Sequence, residues 1–106
     1  MEQREYVRRV PEVYCATPGT AGVVRRADRS FATQLHDRGV PLTTVENALI
    51  LAAARRSARL ADAPPLGAIR SLAYFAPVIE EVLQLKIGQE YFQHLRTKLQ
   101  RSTSAR

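Results

Sequence analysis

Apolar positions recur at three- and four-residue intervals along most of this 106-residue chain, which is the period of amphipathic helices packed on a common core. Between Gln3 and Tyr14, Tyr6, Val10, Val13 and Tyr14 share one side and Arg8 and Arg9 the other. Pro11 interrupts this run. A proline in a helix interior removes a hydrogen bond and costs about 3 kcal/mol, so the element is expected to kink or start anew there. Thr17-Pro18-Gly19-Thr20-Ala21-Gly22 reads as a surface loop. A second helix is expected from Asp28, as its cap, to about Arg38, with Phe31 and Leu35 as an i, i+4 apolar pair.

The stretch Arg38-Gly39-Val40-Pro41-Leu42-Thr43-Thr44-Val45-Glu46 ends that helix and begins another within a few residues. Gly39 can adopt the left-handed conformation that closes a helix, Pro41 cannot continue one, and Thr43 with Glu46 has capping-box spacing. The third helix, about Leu42 to Leu60, carries Val45, Ala48, Leu49, Ala52, Ala53 and Leu60 on one face. Ile50, Leu51 and Ala54 widen the stripe, so this helix is expected to be covered from more than one side.

Asp62-Ala63-Pro64-Pro65-Leu66-Gly67 is a stiff connector. Leu72, Tyr74, Phe75, Val78, Ile79, Val82 and Leu83 then form a broad apolar band, which Pro77 is expected to divide into a short turn and a helix from Pro77 to Leu85. A last helix, Gln89 to Arg101, places Tyr91, Leu95 and Leu99 at i, i+4, i+8. The fold expected is all-α: a compact bundle of four or five helices forming one domain over residues 1–101, with a disordered tail at 102–106. Leu49, Ala52, Phe75, Val78 and Ile79 should be buried together.

Charge adds a partner class. Sixteen Lys and Arg against ten Asp and Glu give a net charge of +6, and all but two of the cations are arginine. Guanidinium groups bind phosphate bidentately and tolerate desolvation better than ammonium, so the balance favours polyanionic partners. An Arg- and Ala-rich composition also follows from a GC-rich genome. Cys15 is the only cysteine, which excludes an internal disulfide and fits a reducing cytoplasm. No stretch approaches the roughly 20 apolar residues of a membrane span, and the first residues lack an apolar run of the exported type.

Two surfaces could meet DNA. Residues 28–60 allow a helix-turn-helix in which Thr43, Thr44 and Asn47 would read base edges, although Glu46 beside them would repel phosphates. The plainer alternative for the same segment is a helical hairpin inside the core. The second surface is basic: Arg25, Arg26 and Arg29 flank the start of helix two, while Arg55, Arg56 and Arg59 finish helix three. Joined by Arg8 and Arg9, they would form a phosphate-binding stripe. The alternative is a solvated face with weak salt bridges to Asp28, Asp37 and Asp62.

Other chemistry is thinly represented. His36 and His94 lack metal-ligand spacing apart from Glu90, four residues before His94, and no nucleophile elbow, triad or phosphate-cradling glycine loop is present. No cofactor, metal, small-molecule substrate or enzymatic activity is expected. A protein-interaction module docking a partner, or a second copy, through apolar surface near Tyr74, Phe75 and Tyr91 is the competing functional class.

Ile69-Arg70-Ser71-Leu72-Ala73-Tyr74-Phe75-Ala76-Pro77-Val78-Ile79-Glu80-Glu81, after Gly39-Val40-Pro41-Leu42-Thr43-Thr44-Val45, resembles small uncharacterised bacterial helical proteins found near mobile elements. More distantly, residues 30 to 83 resemble the DnaD-like domain of replication-restart proteins. That likeness implies binding to DNA or to a replication partner and assigns no residue a role. The family's tail motif contains Trp, which this chain lacks.

Overall fold

Five α-helices follow from this patterning in a computed structural model, which describes residues 1–59, 63–64, 66–85 and 89–104. They are α1 (Gln3–Ala16), α2 (Arg26–Asp37), α3 (Leu42–Ser57), α4 (Ala76–Gln84) and α5 (Gln89–Ser104). A 3₁₀ segment, Leu72–Phe75, leads directly into α4. The described residues contain no β-strand, only one parallel bridge between Thr20 and Ile69.

Helix α1 runs through Pro11 without ending, so of the two expected outcomes, a kink or a new start, the element does not start anew there. Burial explains the tolerance: Tyr6, Val10, Pro11 and Tyr14 all face the core. At about 1.5 to 3 kcal/mol for each large apolar side chain removed from water, their packing outweighs the proline penalty.

Helix α2 begins two residues before the expected cap. Asp28 sits in its first turn and its carboxylate reaches back to accept the backbone N–H of Arg25 at 2.8 Å, which is half of a capping box. The helix closes as expected. Gly39 takes φ +75°, its N–H bonds the carbonyl of His36 at 2.9 Å, and Val40 N–H bonds that of Leu35 at 3.0 Å. This pair of reversed bonds satisfies the last carbonyls of α2 and turns the chain towards Pro41.

Pro41, and not Thr43, stands at the start of α3, with no side-chain cap there. The capping box expected from Thr43 and Glu46 is therefore not formed. Glu46 instead lies 4.0 Å from Arg96 of α5. Helix α3 is central: α1, α4 and α5 pack around it, and Val45, Ala48, Leu49, Leu51, Ala52 and Ala53 are buried. Its regular part ends at Ser57, while Leu60 lies outside the described residues. A four-residue turn joins α2 to α3, with α2 resting on α1 and the 3₁₀ segment and α3 packed by α1, α4 and α5.

Pro77 occupies the first turn of α4 and separates it from the 3₁₀ segment, as its position required. Leu49, Ala52, Phe75 and Ile79 are buried in one cluster, with Val78 partly buried against it. On α5 Leu95 of the expected stripe is buried and Leu99 half-buried, but Tyr91 is 48% exposed and its neighbour Phe92 takes the buried place. The helix continues to Ser104, past the expected start of the tail; Ala105 and Arg106 lie outside the described residues.

Candidate functional site

Two loops meet beside the start of α2, and they carry Arg25 and Arg70. The first leaves α1 at Thr17, whose hydroxyl donates to the Val13 carbonyl at 2.8 Å, and runs to Arg25. The second runs from Leu66 to Ser71. Ile69 joins them: its N–H donates to Gly19 O and its carbonyl accepts Ala21 N–H, both at 2.8 Å. Tyr14, buried beneath, donates its hydroxyl to the same Ile69 carbonyl at 3.4 Å. Burial, then the nearby Asp28 carboxylate, hold that hydroxyl above its usual pKa of 10.0.

Asp28 is the second fastening. It is only 2% exposed, and while one carboxylate oxygen accepts Arg25 N–H, the other accepts Leu72 N–H at 2.9 Å. A buried carboxylate requires donors of this kind. The start of α2 is thereby fixed against the 3₁₀ segment, and Arg70 is held between Ile69 and Leu72.

The arginines divide by what they already bind. Arg56 donates Nη2 to the Gly67 carbonyl at 2.9 Å and Nη1 to the Tyr74 hydroxyl at 3.5 Å, and its guanidinium passes close to Gly19. Arg55 forms a two-point pair with Glu81, one bond being 2.8 Å. Arg38 pairs with Glu80 at 2.6 Å and Arg8 with Glu12 at 3.0 Å. Hydrogen bonding to these arginines holds the Glu80 and Glu81 carboxyls below the usual 4.5 and raises the Arg38 and Arg55 guanidinium values. By contrast Arg25, Arg26, Arg29, Arg59 and Arg70 are exposed and have no ion pair among the described residues.

The acidic partners differ from those expected. Asp28 is occupied with backbone amides, Asp37 lies 3.9 Å from His36, and Asp62 is outside the described residues. Glu80 and Glu81, more than 25 positions from the arginines they neutralise, fill that role.

Of the polar residues expected at a DNA-reading helix start, Thr43 is exposed and Thr44 half-buried, but Asn47 is 7% exposed and faces the core. Asn47 therefore does not reach outward beside Thr43. The expected docking surface also changes, since Phe75 is fully buried while Tyr74 and Tyr91 are about half exposed. Arg4 is a cation missed from sequence: with Arg8 and Arg29 it lines a groove of about 880 Å³ between α1 and the start of α2. Its i, i+4 spacing from Arg8 was the available signal. Arg70 had no such signal, because only the loop pairing places it.

No described helix is long and apolar enough to cross a membrane. No family model, curated protein or solved structure matches this chain.

Proposed function

We propose that this chain is an accessory DNA-binding protein that holds phosphates through Arg25, Arg26, Arg29, Arg59 and Arg70. The observation that carries the reading is the division among the arginines: those named are exposed and have no ion pair among the described residues, and Asp28 ties the backbone of Arg25 to that of Leu72, two positions from Arg70. Phosphates are the ligands that such guanidinium groups recognise best, by paired N–H donors and by charge. With Asn47 buried, base-edge readout by the start of α3 has little support, and binding of low sequence preference follows.

Affinity measured on duplex and single-stranded DNA over a salt series tests this. Four to five phosphate contacts should give a slope of log affinity against log salt of about −3 to −4.5, from −0.7 to −0.9 per contact. A salt-insensitive association, or none at low salt, defeats the proposal.

A second reading is a protein-interaction module. Leu83, Leu85 and Tyr91 are 40 to 48% exposed around the α4–α5 connection, and apolar contact there would persist at high salt. Sedimentation of the chain alone at high salt tests whether a second copy occupies that end.

A further inference from the structure

A depression of about 290 Å³ lies between the last turns of α3 and the 3₁₀ segment, lined by Ala52, Arg55, Arg56, Arg59, Tyr74 and Val78. The lining combines three arginines, one tyrosine and two small apolar residues, with no acidic residue. Phosphate attraction alone needs neither the ring nor the apolar surface.

Tyr74 is 50% exposed although the adjoining Phe75 is fully buried. The two rings meet edge to face, 5.3 Å apart at 78°, so the buried ring anchors the exposed one. Arg56 braces it from the other side, with one nitrogen on the Tyr74 hydroxyl and another on Gly67 O. The platform is thus held before any ligand arrives. Arg55 is paired with Glu81 and Arg56 donates to Gly67 O and the Tyr74 hydroxyl, which leaves Arg59 as the lining arginine whose side chain has no partner among the described residues.

We infer that Tyr74 is a stacking platform for an unpaired nucleobase, with Arg59 placed for the neighbouring phosphate, and that the nucleic acid preferred is single-stranded. This inference rests on the phosphate-binding reading above. A duplex hides its base faces within the stack, whereas a single strand offers each face to an aromatic ring, and this stacking is largely independent of base identity. The depression suits one base, since a single ring and a narrow apolar strip cannot follow a groove.

Fluorescence anisotropy with the intact chain, labelled oligothymidylate and a duplex of equal length provides the test. The single strand should bind more tightly than the duplex. Tyr74→Ala should weaken oligothymidylate binding by about 5- to 150-fold, the range for loss of one base–aromatic stack, with much less effect on the duplex. Tyr74→Phe should restore the affinity, because the ring and not the hydroxyl makes the stack. An oligouridylate arm distinguishes RNA from DNA, and tighter binding of either single strand than of the duplex supports the inference. Ultraviolet crosslinking of the unmodified chain to oligothymidylate, with the adduct mapped to Tyr74, supplies a readout that does not depend on how a variant folds. Unchanged oligothymidylate binding by Tyr74→Ala, equal losses on both DNA forms, or an adduct elsewhere overturns the stacking role while leaving phosphate binding standing. Failure of the unmodified chain to bind any nucleic acid overturns both.

Discussion

The carboxylate of Asp28 accepts the backbone N–H of Leu72 at 2.9 Å across 44 positions of sequence, while its second oxygen holds Arg25 N–H at 2.8 Å. One buried side chain thereby starts α2 and docks the 3₁₀ segment. Asp28→Ala strands both donors, and at about 1 to 3 kcal/mol for each donor left unpaired, a loss of about 2 to 6 kcal/mol is expected. Asp28→Asn keeps one acceptor and should lose about half as much. Urea unfolding of the two variants checks the order, and equal stability of Asp28→Ala and the parent would refute it.

Gly19 adopts φ +94°, and a Cβ there would stand 3.1 Å from Arg56 Nε. Gly22 also has positive φ but nothing within 4 Å of an added Cβ. Gly22→Ala should therefore cost about 1 to 2 kcal/mol from backbone strain alone. Gly19→Ala should cost more, because it also moves the guanidinium that holds Gly67. Thermal unfolding of both variants, with and without Arg56→Ala, isolates the contact: the excess should vanish when Arg56 is absent.

Tyr6 is buried and its hydroxyl has no hydrogen-bond partner among the described residues, and burial pushes its pKa from 10.0 to about 12. The folded state holds this proton more tightly than the unfolded state, so the contribution is present below pH 10 and disappears as pH rises towards 12. Tyr6→Phe should flatten this alkaline loss. It should also stabilise the chain near neutrality by about 1 kcal/mol, because an unpaired buried hydroxyl is removed. Unfolding midpoints across the alkaline range measure both effects.

Acid should act on Glu80 and Glu81. Their folded values lie below 4.5 because Arg38 and Arg55 donate to the ionised carboxylates. Their stabilisation is accordingly complete above 4.5 and lost as pH falls through the lower folded values. The Glu80→Gln, Glu81→Gln double variant should show a shallower acid limb, and added salt should reduce the difference. An unchanged limb would mean that these exposed pairs contribute nothing to folding.

The arginines should separate into two groups on mutation. Replacing Arg25, Arg26, Arg29 and Arg70 together by Ala should reduce the salt slope of DNA binding by about 3 to 4 while leaving the unfolding midpoint nearly unchanged. Arg56→Ala should lower stability, having lost its bond to Gly67 O. Arg55→Ala should have little effect on the slope because Glu81 already neutralises it. Paired binding and unfolding measurements on each variant distinguish these outcomes.

The features that sequence made legible were those with a local cause. Gly39 closes α2, Pro77 opens α4, and the unbroken apolar run from Ala48 to Ala54 puts α3 at the centre, all from short-range stereochemistry and helical period. What escaped depends on distant partners. Tyr91 and Phe92 are adjacent aromatics, and only the direction from which α3 meets α5 decides which is buried. Asn47 reads as an exposed polar residue until α3 is known to be enclosed. Arg55 and Arg56 look like free cations in sequence because Glu81 and Gly67 lie beyond any local window. The loop pairing is made by backbone amides of Ala21 and Ile69, which leave no mark in residue type.

The fastening of Gly19, Ala21 and Arg25 to Ile69 and Leu72 also imposes an order on assembly. During synthesis α1 and α2 emerge well before the residues that complete their buried face. Tyr14 has no carbonyl to meet and Asp28 no second amide until position 72 has been added. Closing so long a loop has an entropic cost that is recovered only when the later contacts form, which delays the native topology relative to a chain of purely neighbouring helical hairpins. A nascent chain halted after α3 should remain open to proteases at Tyr14 and Leu35, and extension through α4 should close both sites together.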